Sequence, residues 1–186
     1  MHKILAYGLI IDIIIFDQLS KWAVTEYMIR GGESALNLIH WLSHAPERLD
    51  FKSISVMPFF NIVMVWNEGV SFGLFNNDGI NAAIPLIIIS LIVCAIFLVW
   101  LARTSYTLQA YGIALVIGGA IGNVIDRIRF GAVIDFLDFH IAGYHWPAFN
   151  IADSAIVIGV LILIVHTFLY EGKTDASALD KIEPGD

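Results

Sequence analysis

The sequence predicts an all-α membrane protein of four transmembrane helices, with a small β-sheet and loop region outside the bilayer. Hydrophobic residues make up 58% of its 186 residues, whereas soluble domains rarely exceed about half. Four apolar runs approach the length of about 20 residues that a helix needs to cross a bilayer, and polar segments separate them. We expect one membrane-embedded domain over residues 1–170, followed by a polar, disordered tail over 171–186.

The first predicted span covers residues 4–24 and carries charge inside an apolar run. Asp12 lies near its middle, and Asp17 and Lys21 lie near its end. Residues four apart share one face of a helix, so Asp17 and Lys21 are placed to form an ion pair. That pair either anchors the helix end or helps to shape a polar site. A cleavable signal peptide is the alternative interpretation, but no convincing small-residue cleavage site follows, which favours a retained helix.

The segment 26–81 is predicted to lie outside the membrane. Residues 35–42 mix apolar and polar positions in the way that a helix on a membrane surface does. Residues 55–66 are rich in aromatic and β-branched side chains, which predicts a strand and, with its surroundings, a strand pair or small sheet.

The motif NEGVSFG follows at 67–73. Its glycines suit a turn or a close approach of the backbone to another group. The amide of Asn67 either stabilises that turn or hydrogen-bonds a bound peptide, and both interpretations stay open.

The remaining spans are predicted at 84–102, 108–125 and 150–170, with a second extramembrane loop at 129–147. The third span contains a GxxxG glycine pair within GGAIGNVIDR at 118–127. Such a pair lets a neighbouring helix approach closely.

Four spans place both termini on one side of the membrane, so polar residues at the other ends of the spans gather at one face. These residues are Asp17, Lys21, Asn67, Asn123, Asp126, Arg127, Asp135, Asn150 and Asp153. With the termini in the cytoplasm, the ten basic residues divide four inside to six outside, against the positive-inside rule. Charge alone therefore leaves the orientation open.

Four carboxylates in this set of segments lie beside strongly apolar sequence: Asp126, Asp135, Asp138 and Asp153. An ionisable side chain at membrane depth is costly and indicates a functional site. Two carboxylates in a low-dielectric site cannot both ionise, so they share a proton. The ionised member can then take a proton from water while the protonated one donates to a carbonyl. That is the chemistry of peptide hydrolysis by an aspartic dyad.

Asp153 is the strongest candidate on local sequence. Asn150 fits the N-cap of the fourth span, and the helix dipole favours a carboxylate at the third position that follows. A structural role is therefore the alternative for Asp153. The apolar residues around it nevertheless require it to face the interior of the helix bundle.

The residues do not decide which carboxylate is the second member. Asp126 adjoins Arg127 and is expected to form an ion pair with it. Asp135 and Asp138 are three apart, so in an extended segment they point to opposite faces and only one can face the site.

Other chemistries find less support. A net charge of −7 disfavours nucleic acid as a partner. The sequence contains no HExxH or Walker A motif. Among the scattered histidines, His140 and His145 come loosely near ligand spacing and are more typical of loop histidines at an interface. The single cysteine, Cys94, excludes an intrachain disulfide and a Cys-rich metal site.

Five ordered motifs resemble the sequence blocks of the bacterial lipoprotein signal peptidases, also called signal peptidase II. They are DQLSK at 17–21, NEGVSFG at 67–73, GGAIGNVIDR at 118–127, VIDF at 133–136 and FNIAD at 149–153. Their order and spacing also agree, from the first span to the fourth. The resemblance implies a multi-pass aspartic endopeptidase of the bacterial inner membrane, with cytoplasmic termini and an active site toward the periplasmic face. Such enzymes cut the signal peptide from a diacylglyceryl-prolipoprotein just before its lipid-modified cysteine.

The resemblance also assigns the dyad to Asp135 and Asp153. It implies that the other matching residues support or line the site: Asp17, Lys21, Asn67, Gly69, Asn123, Arg127 and Asn150. A small extracytoplasmic sheet, contact with membrane lipids and inhibition by globomycin-type peptides are expected, and no metal or organic cofactor. The stretch 30–52 is longer than the usual connection in this family and has no assigned role.

Two alternatives from other classes remain. A small proton-coupled transporter would also use membrane carboxylates, but it predicts inverted repeats and broken helices, and the sequence shows no such repeat. A purely structural polar cluster predicts that carboxylate-to-amide changes alter stability without affecting any reaction.

Overall fold

The computed structural model describes residues 2–69 and 80–179. The elements in this part of the chain are α1 (His2–Ala23), a π-helical turn (Val24–Ile29), a short 3₁₀ turn (Gly32–Ser34), α2 (Leu38–Ser43), β1 (Ser53–Met57), β2 (Phe60–Asn67), α3 (Ile80–Arg103), α4 (Thr107–Phe130), β3 (Val133–Ile141), β4 (Tyr144–His145) and α5 (Ile151–Leu179). The fold is therefore mostly helical with a small antiparallel sheet, as predicted.

Within the described residues, three helical stretches are long and apolar enough to cross a membrane: Ala83–Arg103, Thr107–Phe130 and Ile151–Tyr170. The chain is an integral membrane protein. α1 coincides with the first predicted span, but it also carries Lys3, Asp12, Asp17 and Lys21, which sets it apart from these three. The first predicted span thus stays a prediction, and with it the total of four.

Helix α4 lies at the centre of the bundle and packs against α1, α3 and α5. Its glycines allow the close approach that the GxxxG pair predicts. A Cβ atom built on Gly118 would lie 2.8 Å from the Cβ of Ile13 in α1. One built on Gly122 would lie 2.6 Å from the Oδ2 of Asp17. The missing side chains thus let a charged residue of α1 lie directly against α4.

The sheet has the order β1-β2-β3-β4. Its two middle strands, β2 and β3, carry the candidate site residues Asn67 and Asp135. Antiparallel pairing sets Val65 opposite Asp135 and Asn61 opposite Asp138. The strand pair predicted around 55–66 is confirmed as the hairpin of β1 and β2. The loop predicted at 129–147 contains two strands: β3 pairs with β2, and β4 pairs with β3.

The helix ends also differ from the sequence prediction. α4 continues to Phe130, and Gly131 ends it in the left-handed conformation with φ 71°. α5 continues to Leu179, into the segment 171–186 for which a disordered tail is predicted. Residues 180–186 lie outside the described part of the chain, as do residues 70–73 of the predicted turn.

Candidate active site

Asp135 lies on β3 and is almost completely buried, with 1% of its surface exposed. Two side-chain amides hold its carboxylate. Asn150 Nδ2 donates to Oδ1 at 2.8 Å, and Asn67 Nδ2 donates to Oδ2 at 2.9 Å. Asn67 is the last residue of β2 and Asn150 precedes α5, so three elements meet at this carboxylate.

Asp153 lies in the first turn of α5, where it is half-buried. The Asp153 N–H donates to Asn150 Oδ1 at 2.9 Å, and the Asn150 N–H donates back to Asp153 Oδ2 at 3.2 Å. This reciprocal pair is a capping box, and it confirms the predicted N-cap. The other oxygen accepts from Asn123 Nδ2 of α4 at 2.8 Å. Capping therefore occupies one carboxylate oxygen, while α4 orients the other.

A chain of amides joins the two aspartates. Asn150 Nδ2, which donates to Asp135, also lies 3.2 Å from Asn123 Oδ1. Asn123 in turn donates to Asp153. The two carboxylates thus belong to one polar cluster, held by donors on α4 and at the start of α5.

The pKa of the Asp135 carboxyl is raised to about 7. Burial is the largest cause, and the negative charge of Asp153 adds to it. Hydrogen bonds from Asn67 and Asn150 and the charge of Lys21 oppose the rise in pKa. A carboxyl with this pKa is protonated in about half of the molecules at neutral pH. It can therefore donate or accept a proton, which is the requirement for one member of an aspartic dyad.

Lys21 lies next to Asn123 of this polar cluster, in a fully buried ion-pair network. Its Nζ lies 2.7 Å from Asp17 Oδ2 and 2.8 Å from Asp126 Oδ2, and all three side chains have no exposed surface. Asn123 Oδ1 lies 3.5 Å from the same nitrogen. The three N–H bonds of the ammonium thus have three acceptors, and the predicted pair of Asp17 and Lys21 is confirmed.

The predicted ion pair of Asp126 with Arg127 is wrong, because Asp126 pairs with Lys21 of α1 instead. Neighbouring residues on a helix point about 100° apart, so the two side chains leave α4 in different directions. Gln18 Nε2 also donates to Asp126 Oδ1, at 2.9 Å.

The same network fixes the backbone beside both candidate catalytic aspartates. Asp126 Oδ2 accepts from the N–H of Ile134 at 3.1 Å, and Asp17 Oδ1 accepts from the N–H of Ala152 at 3.0 Å. Each of these residues immediately precedes one aspartate of the cluster. Charges in α1 and α4 thus set the positions from which the two carboxylates project.

Arg127 lies on the side of the cluster that adjoins the end of β2. Its Nη1 lies 3.5 Å from the carbonyl oxygen of Asn123, and its charge interacts most strongly with Asp153. Its Nη2 would lie 3.6 Å from a Cβ built on Gly69. Gly69 has φ 80°, a conformation that favours glycine. The arrangement places a positive charge and exposed backbone beside the carboxylates.

An open cavity of about 440 Å³ reaches Asp135 from the end of β2. Its lining consists of Val65, Trp66, Asn67, Glu68, Gly69, Asp135, Pro147 and Ala148. The cavity is therefore lined by the backbone of Gly69, the amide of Asn67 and the carboxyl group of Asp135. Its volume is large enough to admit a peptide segment.

Asp138 faces away from this cluster, as the strand geometry predicts for one of the two alternatives. Asn61 Nδ2 donates to its Oδ2 at 2.8 Å, and His145 Nδ1 lies 2.8 Å from its Oδ1. Burial acts to raise the pKa of Asp138, but the Asn61 and His145 hydrogen bonds and the charges of His145 and His140 lower it overall. The two histidine rings stack 4.8 Å apart. The described residues include no group of three metal-ligating side chains placed to hold an ion.

Gln18 is the site-supporting residue that the sequence interpretation passed over. Its amide bridges Asp17 Oδ2 at 3.2 Å and Asp126, and its Oε1 accepts from Arg129 Nη1 at 3.3 Å. Its position could have indicated this role, since a glutamine inside an apolar span needs hydrogen-bond partners.

Comparison with known proteins places these features in one family. Residues 9–169 match the family model described as signal peptidase (SPase) II. The chain is 45% identical over 121 residues to a lipoprotein signal peptidase of Nitrobacter hamburgensis, covering 63% of this chain and 74% of that protein. It is 38% identical over 168 residues to that of Janthinobacterium sp. (strain Marseille), covering 89% of each. A solved bacterial membrane enzyme superposes with a TM-score of 0.67 at 28% identity, over 87% of this chain and 91% of that one.

Proposed function

The chain belongs to the signal peptidase II family, and we propose that Asp135 and Asp153 are the aspartic dyad with which it cuts prolipoproteins. It is a protease that removes signal peptides from prolipoproteins. The observation that supports the dyad is the amide chain that joins these two carboxylates beside an open cavity.

The chemistry follows from two carboxyl groups with one proton between them. One carboxylate takes a proton from water as the water attacks the scissile carbonyl, while the other donates its proton to the carbonyl oxygen. We assign the donated proton to Asp135, because burial and the charge of Asp153 raise its pKa to about 7. The roles then reverse to protonate the leaving amine. Asn67 and Asn150 hold Asp135 in place through these steps.

The specific substrate that we propose is a diacylglyceryl-prolipoprotein, which is cut just before its lipid-modified cysteine. Acyl chains on that cysteine lie in the bilayer, which brings the scissile bond to the membrane face where the dyad lies. Globomycin-type peptides would occupy the same cavity. No metal or organic cofactor takes part in this proposal, and the domain that carries it spans residues 1–170.

The orientation proposed is that of an inner-membrane enzyme with cytoplasmic termini and a periplasmic sheet. It requires that α1 cross the membrane as the first of four spans. Ile4, Ile11 and Ile15 are exposed on α1, as a lipid-facing surface requires, while Asp17 and Lys21 are neutralised inside the bundle.

The test is cleavage by the purified protein in lipid or detergent. A diacylglyceryl-prolipoprotein is expected to yield a product whose first residue is the modified cysteine, read by mass spectrometry, and globomycin is expected to inhibit the reaction. The same precursor without its lipid is the control and should be cut far more slowly. Equal cleavage of the unlipidated precursor, or a cut elsewhere, would overturn the proposed specificity.

The pH dependence of kcat/KM, which reports groups of the free enzyme, should report Asp135. As pH rises through about 7, Asp135 loses the proton that it must donate, so kcat/KM is expected to fall on the alkaline side. Asn67→Ala removes a donor that stabilises the ionised carboxylate, which raises the pKa and moves this alkaline limb to higher pH by about 0.5–1 unit. Asn61→Ala, which frees Asp138 instead, is the matched control. A limb that moves equally in both variants would contradict the role of Asn67.

A further inference from the structure

The segment between α2 and β1, residues 44–52, bonds the residues on either side of Asn67, and we call it the brace. We propose that Arg48 of the brace is a positioning residue for the peptidase, because it fixes the end of β2 so that Asn67 stays bonded to Asp135. The inference rests on the proposed catalytic role of Asp135.

Arg48 joins two elements that meet at the site. Its Nη1 donates to Glu68 Oε1 at 2.7 Å, and Glu68 lines the cavity directly after Asn67. Its Nε and Nη2 both donate to the carbonyl oxygen of Phe130, at 3.1 and 2.7 Å. Phe130 is the last residue of α4. One guanidinium therefore ties the end of β2 to the end of the helix that carries Asn123 and supports β3.

The brace holds both neighbours of Asn67. Arg48 holds Glu68 on one side, and on the other Trp66 Nε1 donates to the carbonyl oxygen of Leu49 at 2.9 Å. The Arg48 guanidinium also lies over the Trp66 ring, 5.4 Å from its centre. Two consecutive residues of the brace thus fasten the residues before and after the amide that contacts the dyad.

The amide of Asn67 is oriented as well as placed. Its Oδ1 accepts from the N–H of Gly69 at 2.9 Å, so its Nδ2 is the group that faces Asp135. A shift of residues 67–69 would disturb both bonds together. The brace is itself anchored to β2, because the N–H of Met64 donates to the carbonyl oxygen of Lys52 at 2.8 Å.

An arginine suits this position for a reason beyond charge. The last carbonyls of a helix lack partners within the helix, and the planar guanidinium reaches Phe130 with two donors while a third reaches Glu68. A lysine ammonium cannot present that fork. An exposed ion pair alone contributes little to stability, so we expect the role of Arg48 to be seen in catalysis.

The experiment compares Arg48→Ala with Lys52→Ala in the full chain. Lys52 belongs to the same brace but donates to the carbonyl oxygen of Ile29, so it is a matched loss of one positive charge. Arg48→Ala is expected to lower kcat about tenfold, as loosened active-site geometry does. It is also expected to move the alkaline limb of the pH profile of kcat/KM to higher pH by about 0.5 unit, since a weakened Asn67 bond raises the pKa of Asp135. Lys52→Ala should leave both unchanged.

A double variant separates positioning from a direct effect of charge. Asp135 is also faced by Asp153 of α5, Arg127 of α4 and Lys21 of α1, and loss of any nearby positive charge could move the same limb. If Arg48 acts through Asn67, adding Arg48→Ala to Asn67→Ala produces no further shift. A further shift in the double variant would overturn the proposal.

Failure of the inference can be told from failure of the proposed dyad. A wild-type kcat and pH profile in Arg48→Ala, together with an inactive Asp135→Asn, removes Arg48 from the mechanism and leaves the dyad standing. An active Asp135→Asn removes both. Should Arg48→Ala not fold, Glu68→Gln weakens one of the three bonds and must still shift the limb in the same direction, or the proposal fails.

Discussion

Asp135→Asn and Asp153→Asn are each expected to lower kcat for prolipoprotein cleavage by at least about a thousandfold. Each change removes a group that must exchange a proton with water, the carbonyl or the leaving amine, and an amide cannot do so. Because the two carboxylates act as a unit, the double variant should be scarcely worse than either single one. The measurement is the steady-state kcat on a diacylglyceryl-prolipoprotein, together with the single-turnover rate constant, which isolates the chemical step.

Loss of activity in Asp135→Asn should not come from misfolding. The pKa of Asp135 is about 7 in the folded protein, whereas the ordinary pKa of an aspartate is 3.8. Between these values a rise in pH therefore favours the unfolded chain, and above pH 7 the whole penalty is present. The substitution removes that penalty, which is at most on the order of 4 kcal/mol. It also replaces one carboxylate oxygen by an NH₂ group, so that either Asn67 or Asn150 loses its acceptor. Its thermal midpoint at pH 8 should not fall below that of the wild type.

Asp138→Asn is the matched control for both variants. Asp138 is a buried carboxylate on the same strand, but its partners are Asn61 and His145. We expect cleavage by this variant to stay within a few-fold of the wild type. Comparable losses in Asp138→Asn and Asp135→Asn would mean that the strand, and not a dyad, carries the effect.

The sequence predicted the local features of this site because short-range geometry decides them. Asp17 and Lys21 lie one helical turn apart, and Asn150 and Asp153 form a cap, so spacing alone was enough. The three apolar helices α3, α4 and α5 also follow from composition.

The features that sequence interpretation missed depend on contacts between distant segments. The partner of Asp126 lies in α1, and no local rule relates Asp126 to Lys21. The strand β3 exists because β2 pairs with it, and that register sets Asp135 toward Asn67 and Asp138 toward Asn61. Their odd separation predicted that the two carboxylates point apart, and the contacts of β3 show that Asp135 is the one in the amide cluster of Asp153.

Lys21→Met is expected to be the most destabilising of these substitutions. It leaves Asp17 and Asp126, both without exposed surface, as two carboxylates without a cation between them. Breaking a buried pair in this way costs about 3–5 kcal/mol, a large part of the stability of most domains. We expect little monodisperse protein after extraction in detergent, measured by size-exclusion chromatography and thermal midpoint. Lys3→Met, which removes from the same helix a half-buried lysine that donates to the carbonyl oxygen of Ala102, should lose far less stability.

The triple variant Lys21→Met, Asp17→Asn, Asp126→Asn tests whether buried charge is the cause. Without the lysine and both carboxylates no uncompensated charge remains, so folding should return in part. Activity should return less than folding does, because the amide oxygens of the variant accept from the N–H groups of Ala152 and Ile134, which precede the dyad, more weakly than the carboxylate oxygens of Asp17 and Asp126 do. A folded and fully active triple variant would show that the network holds the helices together without positioning the aspartates.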